Sequence, residues 1–332
     1  MKGEIVMRIV HLLNWDLKSI EKILDDIKRQ GFNAVQINPM QPLKEEEDFH
    51  WWLSYQPLGF RIGNMYGTKE DLTSLCKKAN EKGISIIVDV IANHTANKSD
   101  QECLTPHPTV DLELLSRRDF WKDKKMIQNG DNRYDATHGL IGLPGLDLKN
   151  NDLKKIIFRY LKELKDCGVK GFRFDAAKHI GLPNDGVIFF SEVSSFLEEN
   201  NLFAYGEFLG GDSDWQNEFM NVLPILTHFT SKIKDYNKMT TFIESHDTFL
   251  NDDFYSTRMI KTGELCNLYA LLNNKFENTI WYVRPIYYPY NPYGKSPSKI
   301  NLQTIDYFEL EFLTDKRIKE ANEIKQKVLT LK

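Results

Sequence analysis

Residues 151–175 read NDLKKIIFRYLKELKDCGVKGFRFD, an amphipathic helix that runs to Gly168 and then a short strand that stops on an acid. Working outward from this unit, the same alternation of amphipathic stretch and β-branched or apolar run recurs along most of the chain, which is the pattern of βα units on a parallel sheet. Toward the N-terminus, IVMRIVHLL predicts a first strand and LKSIEKILDDIKRQ one helix, with Ile20, Ile23, Leu24 and Ile27 on one face and Gly31 as its stop. NAVQIN is a second strand, KEDLTSLCKKANEKG a helix, and ISIIVDVIAN a continuous apolar run of the kind covered on both faces. Toward the C-terminus, FFSEVSSFLEEN precedes LFAYGE, and TTFIESHD precedes the helix MIKTGELCNLYALLNN and the strand NTIWYVRP. A further strand is required between 210 and 238, and NVLPIL is the candidate. Eight strands result, closed by an amphipathic terminal helix, RIKEANEIKQKVL.

The expected fold is therefore α/β, a (β/α)8 TIM barrel. From 94 to 147 the periodicity fails and charges, prolines and glycines interleave, which predicts a subdomain inserted after strand three. The expected organisation is a first barrel portion over 1–93, an inserted subdomain over 94–147, and the rest of the barrel with its closing helix over 148–332.

Composition narrows the function. The chain has 332 residues, with 43 Lys and Arg against 47 Asp and Glu, a net charge of -4, and 41% hydrophobic residues. That suffices for a large core and leaves no basic footprint for nucleic acid. No apolar run approaches the roughly 20 residues that span a bilayer, and Glu4 and Arg8 interrupt the start where a signal peptide would be apolar. A soluble, cytoplasmic protein with no membrane partner is expected. Cys76, Cys103, Cys167 and Cys266 are scattered without CxxC spacing, which fits a reducing compartment.

In barrels of this kind the catalytic residues sit where the strands end. Asp175 ends VKGFRFD, Glu207 ends LFAYGE, Asp247 ends TTFIESHD, and Asn93 with His94 ends IIVDVIAN. A single such acid reads equally well as a helix N-cap. Three acids and two histidines at one rim point to a site.

These same segments carry a resemblance. IIVDVIANH, GFRFDAAKH, YGEFLG and FIESHD, in that order, resemble the four signatures of the α-amylase family of retaining α-glucan hydrolases, glycoside hydrolase family 13, closest to its bacterial subtilis-type branch. The likeness extends to HLLNW, AVQINPMQP and WWLSYQPLGFRIGN. It implies endohydrolysis of α-1,4-glucosidic bonds in starch, glycogen or maltooligosaccharides, with Asp175 as nucleophile, Glu207 as acid/base and Asp247 stabilising the oxocarbenium-like transition state. Arg173 would keep Asp175 ionised, and crowding by carboxylates would keep Glu207 protonated. His94 and His246 resemble the histidines of the cleavage subsite, and Lys178 with His179 the leaving-side pair. Trp51, Trp52, Tyr55 and Gln56 would line the glucan cleft, with Tyr55 as the stacking platform, although Trp52 reads equally well as a hydrophobic plug. Calcium is the implied metal, held by Asn93, Asp147, the carbonyl of His179 and a carbonyl near Thr137 and His138, an all-oxygen set.

Other readings stay open. A sugar hydroxyl can intercept the same covalent intermediate, which would make the chain a transglycosylase, and a catalytically silent glucan-binding protein is the third alternative. Residues 286–332 are too few for the C-terminal β-sandwich usual in the family, so none is expected. The aromatic stretch at 286–293 lines the cleft or covers the barrel, and the acidic run Glu45–Asp48 reads as a solvated loop. Oligomeric state has no signature.

Overall fold

The computed structural model describes residues 6–44, 50–228, 233, 235–250, 260 and 262–283. In chain order these form β1 (Met7–Leu12), α1 (Leu17–Lys22), α2 (Leu24–Arg29), β2 (Ala34–Ile37), α3 (Lys69–Glu81), β3 (Ser85–Val90), α4 (Leu112–Leu115), α5 (Arg133–His138), α6 (Asn151–Asp166), β4 (Gly171–Phe174), α7 (Phe189–Asn200), β5 (Phe203–Glu207), α8 (Ser213–Phe219), β6 (Ile225–His228), β7 (Met239–Phe242), α9 (His246–Leu250), α10 (Thr262–Lys275) and β8 (Asn278–Tyr282). Each strand pairs in parallel with the next and β8 pairs with β1, so the sheet closes into an eight-stranded barrel. The (β/α)8 expectation is met.

The unit at 151–175 shows why. Asn150 caps α6 by accepting from the N–H groups of Asp152 and Leu153, and the helix buries Leu153, Ile157, Tyr160, Leu161 and Leu164 before Gly168 turns the chain at φ 99°. In β4 the two-residue period then sorts the side chains. Phe172 and Phe174 join the apolar layer between sheet and helices, with Val88, Leu75 and Phe189. Gly171, Arg173 and Asp175 share the opposite parity and point into the barrel. Burial of each such Phe, Leu or Ile contributes about 1.5 to 3 kcal/mol.

A smaller apolar cluster fills the bottom of the barrel, with Met7, Ile9, Ala34, Ile87, Tyr205, Leu226, Phe242 and Ile280 drawn from seven strands. One pleat repeat higher, the inward positions turn polar, at His11, Asp89 and Arg173, all buried. A third cluster of Leu13, Trp51, Tyr55, Ile91, Phe249 and Tyr282 caps the rim. The chain departs after β3 and comes back before α6 along the same path, since His94 bridges Gly145 and Leu146 N–H donates to Asn93 O.

Three expectations need correction. The helix expected over 17–30 is two, because Ile23 leaves the helical region at φ -106°, ψ 9°. NVLPIL is not the sixth strand as such. β6 starts at Ile225, after Pro224, whose ring nitrogen has no N–H to give a ladder. The strand TTFIESHD ends at Phe242, and Asp247 lies in the first turn of α9. The terminal helix, the 286–293 aromatics and Glu45–Asp48 fall outside the described residues. Among the described residues no helix is long and apolar enough to cross a membrane.

Gly171 sits where β3, β4 and β5 converge. A Cβ there would stand 2.9 Å from Phe203 O and 3.2 Å from the Ile87 side chain, and a sheet backbone cannot yield as a flexible side chain would. Gly171→Ala should therefore lower the unfolding free energy by about 1 to 3 kcal/mol, read as a shifted denaturant midpoint. An unchanged midpoint would mean that the three strands are less closely packed than described.

Candidate active site

The inward residues of β3, β4 and β5 meet on one guanidinium. Asp89 and Arg173 are register partners on adjacent strands, and Arg173 Nη1 donates to Asp89 Oδ1 and Oδ2 at 2.9 and 2.8 Å. The same nitrogen donates to Asp175 Oδ1 at 2.7 Å, while Nη2 reaches Glu207 Oε1 at 2.5 Å. Asp175 holds its inward direction because its backbone N–H still continues the ladder, to Val90 O at 3.0 Å. Asp89 also accepts from Tyr55 Oη at 3.1 Å. Its side chain is 0% exposed, whereas those of Asp175 and Glu207 are 11% and 15% exposed. Asp175 and Glu207 can meet a substrate, and Asp89 cannot.

Three carboxyls against one guanidinium would leave two uncompensated charges if all ionised. Burial makes that costly, so the set favours keeping a proton. Burial is the leading cause that pushes Asp175, Glu207 and Asp89 above the ordinary carboxyl range, with Arg173 opposing it at each. Glu207 is pushed further by the charge of Asp175. Crowding by a neighbouring carboxylate, expected from the sequence to favour a protonated Glu207, contributes beside the larger effect of burial. The retained proton belongs to the coupled set of Asp89, Asp175 and Glu207 and not to one member of it.

Glu207 is also gripped from above. Its Oε2 accepts from Ala176 N–H at 3.0 Å, and Ala176 adopts a left-handed φ of 47°, a conformation that costs a non-glycine residue of order 1 to 3 kcal/mol. The turn directly after the nucleophile candidate thus aims a backbone donor at the acid candidate.

Above these groups opens a cleft of about 500 Å³, lined among others by Trp51, Trp52, Tyr55, Gln56, His94, Asp175, Lys178, His179, Glu207, His246 and Asp247. The structure thus brings together eleven of the residues singled out in the sequence. The Tyr55 ring stacks on His246 with centroids 5.0 Å apart, and His94 Nε2 bonds Tyr55 O at 3.0 Å. Burial is the main cause that lowers both imidazoles, His94 to about 4, so at neutral pH they are uncharged hydrogen-bonding groups. Trp52 stacks on His50 at 4.2 Å and packs edge-on to Trp51, which places it in the cleft wall and in the apolar rim cluster at once. Lys178 Nζ donates to Leu209 O, and Asp247 Oδ2 lies 3.3 Å from His246 Nε2.

Residues not singled out in the sequence include Asp89, Asn97, Asp100 and Leu209. The signal for Asp89 was present, as the one acid inside an apolar strand run, SIIVDV. The others come from loops whose paths have no periodic signature.

The residues assigned to calcium do not gather into a cation cage. The carbonyls of Thr137 and His179 both accept from Lys122 Nζ, at 2.9 Å each. Asp147 Oδ1 accepts from Lys149 N–H, and the His138 ring folds back onto its own helix, stacked on Tyr134 with Nδ1 at 3.0 Å from Tyr134 O. Asn93 Oδ1 alone is buried without a partner. Among the described residues no three His, Cys, Asp or Glu converge as a metal site. The donor set therefore does not fit calcium as the resemblance implied, because a positive side chain already engages two of its oxygens.

Comparison with known proteins places the chain in a family. The α-amylase of Clostridium acetobutylicum is 35% identical over 219 residues, which cover 60% of this chain, and the chain spans 28% of that relative's length. Among solved structures, the α-amylase of Geobacillus thermoleovorans complexed with acarbose superposes with a TM-score of 0.73 at 17% identity, covering 97% of this chain and 80% of that one. A mutant of α-amylase I from Eisenia fetida, in complex with maltohexaose, gives 0.74 at 15% identity, covering 95% and 79%. At such identities these structures speak for the fold alone. The family model of the α-amylase catalytic domain matches residues 13–201, more than half of the sequence and the whole span from the first strand's end to α7, and the chain belongs to that family.

Proposed function

We propose that this chain hydrolyses α-1,4-glucosidic bonds within starch, glycogen or maltooligosaccharides by a retaining double displacement. The observation that carries the reading is the single buried guanidinium that holds Asp175 and Glu207 together at the floor of an aromatic-walled cleft. The α-amylase names of the relatives, and the acarbose and maltohexaose bound to two structural neighbours, support a glucan as the substrate.

In the first step an Asp175 carboxylate oxygen attacks the anomeric carbon from below. The bond to the glycosidic oxygen breaks, and that oxygen takes the proton of Glu207. A glycosyl ester on Asp175 results, and the leaving chain departs with a free hydroxyl. In the second step Glu207, now a carboxylate, takes a proton from water, whose oxygen displaces Asp175 from the same carbon. Two inversions restore the α configuration. Asp247, at the rim beside neutral His246, would face the positive charge that develops on the sugar ring in both transition states. Tyr55, Trp51 and Trp52 offer flat apolar surface to the pyranose faces. A sugar hydroxyl in place of water in the second step would give transglycosylation, and product chain lengths separate the two outcomes.

The direct test is incubation with maltoheptaose and soluble starch, with chain lengths and anomeric configuration followed by proton NMR before mutarotation. Shorter α-anomeric products are expected, and a dominant β signal would overturn the mechanism. Asp175→Asn and Glu207→Gln should each cut turnover by orders of magnitude while binding of maltoheptaose, measured calorimetrically, persists. Either variant keeping more than about a tenth of native turnover would remove that residue from its role.

The proton count gives a pH dependence. Glu207 must be protonated to act as acid, and burial with the neighbouring Asp175 charge raises its affinity for the proton. Activity is therefore lost as pH rises through that raised value, and the alkaline limb of kcat/KM should lie above the ordinary glutamate value of about 4.3. The apparent value belongs to the coupled set and not to one residue. An alkaline limb at or below the ordinary value would contradict the assignment of Glu207 as the acid.

A further inference from the structure

We propose that the ammonium of Lys122 takes the place of a resident divalent cation in this chain, tying the segment between β3 and α6 to the turn that follows the nucleophile, so that folded stability needs no calcium. Three hydrogen bonds and the packing of the lysine stem define the arrangement. Lys122 Nζ donates to Thr137 O, in α5, and to His179 O, at the end of the Ala177–His179 turn, both at 2.9 Å. Its backbone N–H donates to Gly145 O at 3.0 Å, where the chain returns toward the barrel. Its stem packs so closely that a Cβ on Gly145 would stand 3.2 Å from Lys122 Cδ.

The chemistry of the two cations differs in ways the contacts reveal. An ammonium offers three directed donors at hydrogen-bond distance, whereas calcium needs about 6 to 8 oxygens at about 2.3 to 2.6 Å. Two carbonyls at 2.9 Å from one nitrogen suit the ammonium. For a calcium ion to use those carbonyls it would have to displace a positive group from between them. Asp147, the one acid of the expected set, instead lies where its charge acts on Lys122. Asn93 Oδ1 remains as a lone buried acceptor, and a single amide oxygen is no cage. The covalent tether of the lysine keeps the cation in place at any metal concentration, where a bound ion would stabilise only by mass action.

The test is thermal melting of the intact chain in excess EGTA and in millimolar calcium, with native mass spectrometry for bound metal, beside the variant Lys122→Met. Methionine keeps the apolar stem and removes the charge, so the comparison reads the ammonium and not the packing. The expected result is one Tm for the native chain in both buffers, no stoichiometric calcium, and a fall of at least about 3 °C in the variant. A native Tm that drops in chelator and recovers with calcium would overturn the proposal, as would a variant that melts with the native chain. Should the variant not fold, the native melts and metal content still decide. None of these readouts depends on glucan hydrolysis, so the proposal and the proposed activity can fail separately.

Discussion

The geometry of the site depends on the ion pair between Asp89 and Arg173. A guanidinium with 1% of its side chain exposed is tolerable in a protein interior only with matched partners, because the desolvation of each ion costs several kcal/mol. The bidentate contact with Asp89 supplies the match from a neighbouring strand at the same height. The nitrogen that holds Asp89 also donates to Asp175, and the other terminal nitrogen reaches Glu207, so one guanidinium gathers all three carboxyls. Removing Asp89 would leave Arg173 to be neutralised by Asp175 and Glu207 alone. The catalytic candidates would then become structural counter-ions. The sealed acid leaves the exposed ones available for chemistry.

The pleat explains why this can be done by so few residues. In β4 every second position faces inward, and Gly171, Arg173 and Asp175 are successive steps from the apolar bottom through the charged middle to the cleft. In the neighbouring strands the register sets Ile87 and Phe203 beside Gly171, and Asp89 and Tyr205 beside Arg173. Layers in the barrel thus follow from the register, and a slip of one residue would turn Arg173 outward among the phenylalanines. The helices contribute by covering Phe172 and Phe174, which makes the outward parity costly to change.

Much of this was legible in the sequence, for physical reasons that also mark the limits. Strong periodicity read correctly wherever an element buries a face over many residues, as α7 does over 189–200. It failed at Ile23, where an apolar residue continues the helical spacing although the backbone breaks there. The acids on β4 and β5 were readable because strand ends project into a shared rim. Asp247 was placed on a strand that stops five residues earlier, since ESHD carries no stop signal apart from its polarity. Lys122 was not legible at all. A lysine among Lys124, Lys125 and Arg118 looks like solvated charge, and only the folded path of the insertion brings its nitrogen onto two carbonyls from α5 and the turn after β4.

That turn joins the two charged centres. It begins at Ala176, whose N–H holds Glu207, and ends at His179, whose carbonyl is held by Lys122 and whose Nδ1 lies 3.1 Å from Ala136 O. A left-handed alanine relaxes unless its surroundings over-determine it, and here four residues are fixed at both ends. The insertion therefore does more than wall the cleft. Through Lys122 and α5 it restrains the far end of the segment whose near end holds Glu207. In the proposed reaction Glu207 would act as the acid, and such a group benefits from donors that do not reorganise during the reaction. The strain at Ala176 is the local cost of that fixed donor, offset by contacts from a part of the chain that contributes no acid to the chemistry.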